Sequence, residues 1–433
     1  MQNYGVSDET NKFYQFVNRS EELKAFRNIT GFMGLQFSIV RSSTMAGDRH
    51  FPEEILIEIL TRLPVKSVVR FTAVSKSWFF FITRFSFASA HLRHSREGNS
   101  ANSLLLLRRF ETESKKEKYE ILNSHSLSLT CSAELSPQVA CRVGYSRVVG
   151  CYNGVVCLYD DLYSDSHSVT LWNPSIRKHL ILPPPTIKLG RPFKTVLGFG
   201  VNPKCVDDLK VLRIAYERNG EYMDLCALPP EAEIYSLRTG EWRRISAVGV
   251  NFYMTDFIWS QTFVCGAIHW IGCKSLENER FPCSVAVFSM ADELFGEIML
   301  PDELSQEPAA NLYILALDES ISVVKYKREV HRSSCELWVM KEYGVVESWI
   351  RLHYIELVEG MERMVGFRKN GDIFFSTNKS ELVSYCPNTR VVNKLGFFGT
   401  CRSLYVANYV ESLLLLQDHS CVTEDLAKQI KSM

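Results

Sequence analysis

The sequence predicts an α+β, multi-domain protein in which a small three-helix segment precedes an all-β, propeller-like C-terminal domain. Apolar residues recur at helical spacing between residues 50 and 92, whereas short apolar and aromatic runs broken by Gly, Pro, Asn and Asp follow from about residue 102 to 417. Strand–turn–strand units that recur roughly every 50 residues favour a propeller. A two-layer β-sandwich or an irregular double domain is the alternative.

The composition limits the classes of partner and cofactor. Of the 433 residues 12% are aromatic, a fraction that favours β-sheet. The net charge is zero, so we expect no nucleic-acid or membrane partner. Its 13 cysteines include no Cys-x-x-Cys pair and no zinc-ligand spacing, which predicts thiols in a reducing compartment and no metal or other cofactor. No apolar run reaches the ~18 residues of a membrane span, so we expect a soluble protein in the cytoplasm, the nucleus or both.

The first helical element is predicted between two prolines. Pro52 suits a first helical turn because its missing N–H would have no partner there, and Pro64 ends the pattern. One broad face of this helix carries Ile55, Leu56, Ile59, Leu60 and Leu63.

Two further short helices are predicted after Pro64. Ser67 and Ser75 are their candidate N-caps. The second helix would carry Val68, Val69, Phe71 and Val74, and the third would carry Trp78, Phe79, Phe80, Phe81 and Ile82. Three short helices cannot hide this many large apolar side chains in their own centre. A partner protein or the β domain must therefore cover the surplus.

The residues of this segment resemble an F-box. The similarity rests on Leu63-Pro64-Val65-Lys66-Ser67, then Arg70-Phe71, then Val74-x-Lys76-x-Trp78. The resemblance implies docking on a Skp-type adaptor, and through it on a cullin and a RING subunit. The residues that it implies for the adaptor contact and its supporting core are Pro52, Ile55, Leu56, Ile59, Leu60, Leu63, Pro64, Val65, Val68 and Trp78. Ala73 and Ser75 depart from the cysteines of many plant members, but both are small.

The β-rich part contains loosely repeated hairpin units. Each places an apolar strand before a tight turn and a second strand, as in 169–183, 233–245, 285–301, 337–349 and 382–390. Their tryptophans, Trp172, Trp242, Trp270 and Trp338, are expected in the core. Segments 104–110 and 403–417 are apolar strands at the two ends of the domain and could share one closing blade, which would remove exposed sheet edges.

This β-rich part also resembles the plant F-box-associated interaction domain, which is related in architecture to kelch repeats. The similarity covers about residues 150–400 and includes Val149-Gly150-Cys151-Tyr152-Asn153-Gly154, Trp172-Asn173-Pro174, Gly198-Phe199-Gly200 and Gly266-Ala267-Ile268-His269-Trp270. It implies a land-plant protein whose β domain captures a target. The resulting domain prediction is 1–44 as an N-terminal extension, 45–95 as the F-box, 100–417 as the β domain and 418–433 as a polar tail.

The residues that could carry chemistry have simpler explanations. His91 and His94 are expected on the surface, His269 as a buried, hydrogen-bonded residue, and Asp207-Asp208 in a loop. The leading hypothesis is a non-catalytic receptor subunit of a ubiquitin ligase. The alternatives are a propeller enzyme and a small-molecule-sensing receptor. The target protein and its binding residues stay unknown, with 159–167, 183–191 and 217–230 as candidate target loops.

Overall fold

The computed structural model describes residues 53–74, 76–97, 103–134, 146–160, 168–188, 193–217, 230–250, 252–254, 261–274, 282–329, 332–400 and 402–416. The chain divides into two compact units. The helical unit comprises residues 1–100, 173–178 and 410–433, and the β unit comprises 101–172 and 179–409. The predicted extension 1–44 and tail 418–433 lie outside the described residues, so these boundaries stay predictions.

The described part of the helical unit contains one helix more than the three that were expected. In chain order the helices are α1 (Glu53–Thr61), α2 (Val65–Phe71), α3 (Lys76–Ile82) and α4 (Phe85–Glu97). The additional helix, α4, buries Phe87, Ala88 and Leu92. These three residues lie on one side of a helix, since successive residues turn by about 100°.

The predicted N-cap Ser67 is wrong. Helix α2 begins at Val65, directly after Pro64, whose φ of −57° and ψ of 145° set the turn without any side-chain cap. Because the proline already fixes the start of the helix, Ser67 lies two residues inside it. The other predicted cap, Ser75, lies outside the described residues.

The β unit is built from short antiparallel strands. In chain order they are β1 (Leu104–Glu111), β2 (Lys116–Asn123), β3 (Leu129–Glu134), β4 (Arg147–Tyr152), β5 (Val155–Asp160), β6 (Ser168–Asn173), β7 (Lys178–Ile181), β8 (Phe193–Asn202), β9 (Cys205–Glu217), β10 (Glu231–Ser236), β11 (Glu241–Ile245), β12 (Tyr253–Met254), β13 (Thr262–Val264), β14 (Ala267–Cys273), β15 (Cys283–Ser289), β16 (Leu294–Met299), β17 (Leu312–Leu317), β18 (Ser320–Lys327), β19 (Ser334–Met340), β20 (Trp349–Glu356), β21 (Met361–Phe367), β22 (Ile373–Thr377), β23 (Glu381–Cys386), β24 (Val391–Phe398) and β25 (Tyr405–Tyr409). One short helix, α5 (Asp302–Ser305), precedes β17.

Within the described residues these strands form six sheets, and the sheets form a closed ring. Their strand orders are β25-β1-β2-β3, β4-β5-β6-β7, β8-β9-β10-β11, β12/β13-β14-β15-β16, β17-β18-β19-β20 and β21-β22-β23-β24. Contacts between sheets run from β25 to β4, β8, β14, β17 and β21, and from β21 back to β25. The fold is therefore a six-bladed propeller, which confirms the predicted fold class.

The repeated hairpins of the sequence are the third and fourth strands of five blades. They correspond to β6–β7, β10–β11, β15–β16, β19–β20 and β23–β24. The predicted pairing of the closing blade is also confirmed, since β25 pairs with β1 from Leu104↔Tyr409 to Arg108↔Tyr405. The predicted strand 403–417 is shorter than expected, because it ends at Tyr409 and the described residues 410–416 form no strand. The four tryptophans expected in the core are at most 9% exposed.

A buried ion pair lies in the closing blade. The side chains of Arg108 and Glu117 are each 1% exposed, with Arg108 Nη2 at 3.0 Å from Glu117 Oε2. Arg108 also donates to the carbonyl oxygen of Ser403 at 2.9 Å, and Glu117 Oε1 accepts from the backbone N–H of Ser146 at 2.7 Å. The pair therefore joins β1 and β2 to the segments that lead into β25 and β4.

The Gly198-Phe199-Gly200 motif lies in β8, where the glycines make room for rings of the next sheet. A Cβ at Gly198 would lie 2.5 Å from Trp270 Cζ2, and one at Gly200 would lie 2.4 Å from Phe263 Cδ2. Real side chains do not approach this closely, so only glycine lets the two sheets pack here.

The predicted loop at Asp207-Asp208 is wrong, because both residues lie in β9. The Asp208 carboxylate accepts hydrogen bonds from Ser236 Oγ at 2.6 Å and from the N–H of Arg238 at 3.2 Å. These donors lie at the turn between β10 and β11. The Asp208 carboxylate on β9 therefore holds the turn between β10 and β11 in place.

Candidate functional site

The candidate site is the surface of the helical unit, and its core explains which side chains remain available there. The buried core consists of Leu60, Leu63, Val65, Val68, Phe71, Ile82, Phe87, Ala88 and Leu413. His91 lies beneath it, with Nε2 at 2.9 Å from the carbonyl oxygen of Leu63. Burial lowers the pKa of His91, which favours the neutral ring. The expectation of a surface histidine is therefore wrong for His91 and correct for the exposed His94.

Two segments far from the helices in sequence complete this core. Leu413 is fully buried in it, and Leu416 and Ile176 pack against it. Asn173, which is 0% exposed, donates from Nδ2 to the carbonyl oxygens of Ser412 at 3.0 Å and Leu414 at 2.8 Å. The asparagine amide thus holds the segment 410–416 in place, and that segment covers part of the apolar surplus of the helices.

The residues predicted for adaptor binding divide into three groups. Ile59, Leu60, Leu63, Val65 and Val68 are at most 5% exposed, so they can support a contact surface but offer little area to a partner. Pro64 is exposed and Trp78 is half-buried. Pro52 and the side chains of Ile55 and Leu56 lie outside the described residues.

Helix α3 leaves aromatic side chains at the surface. Phe80 is 60% exposed and Phe79 is 38% exposed, and their rings meet edge to face with centroids 5.9 Å apart. The neighbouring Trp78 is half-buried and packs on the buried Phe71, with ring centroids 5.8 Å apart. We call Trp78, Phe79 and Phe80 the α3 patch. The chain's own packing therefore leaves part of the apolar surplus uncovered.

The surface around these helices is predominantly basic. Lys66, Arg70, Lys76 and Arg84 are exposed. Among the described side chains of the four helices the acidic one is Glu58, which forms an ion pair with Arg62 one turn away. Segment 410–416 adds Glu411, whose pKa is raised by burial and lowered in part by Lys66. This charge distribution suits an acidic partner surface.

The prediction of site residues from sequence missed Phe79 and Phe80. The signal was present, because Trp78-Phe79-Phe80-Phe81-Ile82 places five large apolar residues in succession on a helix of seven residues. At about 100° per residue, such a run surrounds the helix, and a single buried face cannot accept all of it. Phe81 and Ile82 face the core, Trp78 packs partly against it, and Phe79 and Phe80 are left at the surface.

In the β unit, His269 is buried and hydrogen-bonded, as predicted. It is 0% exposed, with Nδ1 at 3.3 Å from the carbonyl oxygen of Thr262 and Nε2 at 2.8 Å from the hydroxyl of Tyr343. Burial lowers its pKa to about 4, so the ring is neutral at physiological pH. This geometry gives His269 a role in joining β14 to the loop after β19.

Three further expectations concern metal sites, membrane-crossing helices and the candidate target loops. Among the described residues, no group of three or more His, Cys, Asp or Glu side chains could hold a metal ion. None of the described helices combines the length and the hydrophobicity that a membrane-crossing helix needs. The candidate target loops fall largely outside the described residues, which omit 161–167, 189–192 and 218–229.

Two family models match the chain. The F-box domain matches residues 49–89, and the F-box associated beta propeller domain matches residues 99–394. The first covers α1, α2, α3 and the α3 patch. The second covers most of the six blades, although the closing strand β25 lies beyond it.

Similar curated proteins come from Arabidopsis thaliana. The F-box/kelch-repeat protein At3g23880 is 27% identical over 71% of this chain and 80% of its own length. The F-box protein At3g07870 is 26% identical over 82% of this chain and 89% of its own length. The F-box protein CPR1 is 24% identical over 84% of this chain and 88% of its own length.

Proposed function

This chain belongs to the family of F-box proteins with an F-box associated beta propeller domain, and from that premise we propose that it is the substrate-receptor subunit of a Skp–cullin–F-box ubiquitin ligase. The helical unit docks on the Skp-type adaptor, which connects it to the cullin and the RING subunit. The propeller recruits a target protein for ubiquitylation and degradation.

The observation that carries the proposal is the α3 patch. It lies within the segment that the F-box model matches, and it exposes two phenylalanines although the same unit buries a core cluster of nine apolar side chains. Exposed aromatic residues are typical of the anchors at protein–protein contacts, because they bury a large area at a small loss of side-chain entropy. An adaptor that covers Phe79 and Phe80 removes this area from water.

The described side chains of the sequence prediction then act in two ways. Leu60, Leu63, Val65 and Val68 form the core that holds the helices together. Truncating one of them destabilises the whole helical unit and so disrupts the contact surface indirectly. Pro64 and Trp78, with Phe79 and Phe80, supply contact area. The exposed basic residues, including Lys66 and Lys76, steer an acidic adaptor toward this face.

The receptor acts by proximity and without covalent chemistry of its own. Binding of the target to the propeller and of the adaptor to the helices places target lysines near a ubiquitin-charged enzyme. The second encounter becomes effectively intramolecular, which raises the local concentration of the acceptor lysine. Such a receptor requires no catalytic side chain in the propeller.

The test compares adaptor binding by two matched double variants of the full chain. Phe79→Ala with Phe80→Ala removes most of the exposed apolar area of the α3 patch. Leu294→Ala with Met299→Ala removes exposed apolar area on β16 of the propeller, where these residues are 65% and 49% exposed. Affinity for a purified Skp-type adaptor is measured by calorimetry, with circular dichroism as a check of folding.

We expect the first variant to lose about 2–3 kcal/mol of binding free energy, or roughly 30–150-fold in Kd, because each ring contributes part of the ~1.5–3 kcal/mol of a fully buried side chain. The β16 variant should bind like the wild type. If the Phe79/Phe80 variant is folded and its Kd is unchanged, the docking assignment is refuted.

The target is sought with the same variant. Proximity labelling in plant cells, with the Phe79/Phe80 variant used as bait, should enrich proteins that the wild type sends to degradation. We expect these proteins to accumulate with the variant and to diminish with the wild type. Equal abundance of every captured protein in the two cases would contradict the degradation role.

A further inference from the structure

Two thiols lie opposite each other on the adjacent strands β14 and β15. Cys273 at the end of β14 and Cys283 at the start of β15 are direct partners in the antiparallel register. Their sulfur atoms lie 2.7 Å apart. Both residues are thiols in this structure, and they lie in the propeller, away from the α3 patch in sequence and in structural unit.

The type of strand pair at this position permits a covalent bond. The N–H of Lys274 donates to the carbonyl oxygen of Pro282 at 3.3 Å, so residues 274 and 282 form a hydrogen-bonded pair. Because the two types alternate along an antiparallel ladder, Cys273 and Cys283 form a non-hydrogen-bonded pair, with Cα atoms about 4.5 Å apart. This separation lies at the short end of the ~4.4–6.8 Å range that disulfides span.

The two cysteines lie in one core and differ slightly in burial. Cys273 is 8% exposed and Cys283 is 1% exposed, and both belong to the cluster that contains Ile271 and Leu304. Hydrogen bonding between the two sulfurs lowers the pKa of Cys273, and the Cys283 thiol also donates to the carbonyl oxygen of Glu307 at 3.5 Å. Cys273, as the more exposed residue of the pair, is therefore the one placed to react first with an oxidant.

We propose that Cys273 and Cys283 form an oxidation-sensitive dithiol that closes to an intramolecular disulfide when the protein meets hydrogen peroxide. The Cys273 thiolate attacks the peroxide, an S–O bond forms, the O–O bond breaks and the departing hydroxide takes a proton to become water. The Cys283 sulfur then attacks the resulting sulfenic acid, an S–S bond forms, the S–O bond breaks and a second water leaves with the Cys283 proton. Two thiols are oxidised by two electrons in total, and the peroxide is reduced to two waters.

The positions of the tryptic cleavage sites make the bond directly observable. Lys274 and Arg280 separate the two cysteines, so trypsin yields one peptide of residues 245–274 and another of residues 281–325. A disulfide joins these two peptides. Cys265 shares the first peptide and is exposed, so Cys265→Ser serves as the control that identifies which sulfur is bound.

The experiment treats the reduced full-length chain with hydrogen peroxide, blocks the remaining thiols with N-ethylmaleimide and analyses tryptic peptides by mass spectrometry. We expect the joined peptide in the wild type and in Cys265→Ser, and its absence in Cys273→Ser and Cys283→Ser. The joined peptide should form at least tenfold faster in the native protein than in protein unfolded in urea, because folding holds the sulfurs together. This comparison uses the wild type alone, so it does not depend on the folding of the variants.

Three results would overturn the proposal. One is the absence of the joined peptide from peroxide-treated native wild type. Another is its persistence in Cys273→Ser, which would assign the bond to Cys265. The last is an equal rate of formation in native and urea-unfolded protein, which would show that the strand pairing contributes nothing.

Discussion

The buried ion pair of the closing blade provides a sharp test of how the propeller ring is held shut. Glu117→Ala removes the carboxylate that faces Arg108, and with it acceptors for Arg108 Nε at 3.2 Å, the Tyr119 hydroxyl at 3.0 Å and the N–H of Ser146 at 2.7 Å. Arg108 would keep its bond to the carbonyl oxygen of Ser403, but its buried charge would lose the carboxylate that compensates it. Removing one partner of such a pair costs about 3–5 kcal/mol.

The expected change in melting temperature follows from the size of the propeller. For about 300 residues the entropy of unfolding is roughly 0.6 kcal/mol per kelvin, so a loss of 3–5 kcal/mol lowers the Tm by about 5–8 °C. Differential scanning calorimetry of the full chain measures this shift. Glu117→Gln keeps an acceptor oxygen and removes the charge, so its Tm should fall between those of Glu117→Ala and the wild type.

The adjacent residue on the same strand provides the control. Lys116 forms an exposed ion pair with Glu134, at relative exposures of 56% and 49%, and Lys116→Ala should leave the Tm within error. A Glu117→Ala variant with the Tm of the wild type would show that the buried ion pair does not stabilise the propeller. An equal loss of Tm in Lys116→Ala and Glu117→Ala would show that the effect does not depend on burial.

Three further predictions follow from single contacts. Gly198→Ala should destabilise the propeller by about 1–3 kcal/mol, because its Cβ would collide with the Trp270 ring. The control Gly296→Ala, whose Cβ meets nothing within 4 Å, should keep the wild-type Tm, and equal Tm values for the two variants would contradict the close approach at Gly198. The pKa of His269 is about 4 in the folded protein, below its ordinary value of 6.5, so the unfolded state binds the proton first and stability is lost as pH falls through 6.5 toward 4. We expect the free energy of unfolding from urea titrations to fall by about 2 kcal/mol at pH 5, and a His269→Gln variant with the same pH slope would refute this prediction. Leu413→Ala should destabilise the helical unit by about 2–5 kcal/mol and speed amide hydrogen exchange in α1–α4, and unchanged protection there would show that the segment 410–416 is dispensable.

The blades were predictable because their pattern is local. The unit around Trp172-Asn173-Pro174 and its counterpart around Trp242 each place a tight turn between two short strands, and both hairpins are present as β6–β7 and β10–β11. The pairing of β25 with β1 also followed from the sequence. Two apolar strands at the ends of a repeat array each have unpaired backbone N–H and C=O groups, and these groups can hydrogen-bond to one another. The fourth helix and the Asp208 strand were missed, since α4 has only three large apolar residues among its 13 and polar strand residues have weak periodic signals.

The candidate site was only partly predictable. The sequence indicated an apolar surplus in the helices and named Leu60, Leu63 and Val68 for the adaptor contact and its supporting core, without separating the two roles; the structure buries all three. Burial there depends on Leu413 and Ile176, which approach the helices from far along the chain. No local pattern in residues 50–97 reveals which apolar side chains such distant segments cover, and Phe79 and Phe80 emerged as the exposed ones only after those contacts were known.

By itself, the sequence determined a helical segment followed by a ring of antiparallel hairpins, because hydrogen bonding and side-chain periodicity within short segments depend on neighbours a few residues away. The tertiary structure decided which apolar side chains are left at the surface. It also decided which residues surround the buried His91 and His269, and that Cys273 lies opposite Cys283. These outcomes depend on contacts between strands and segments that the chain brings together only when it folds.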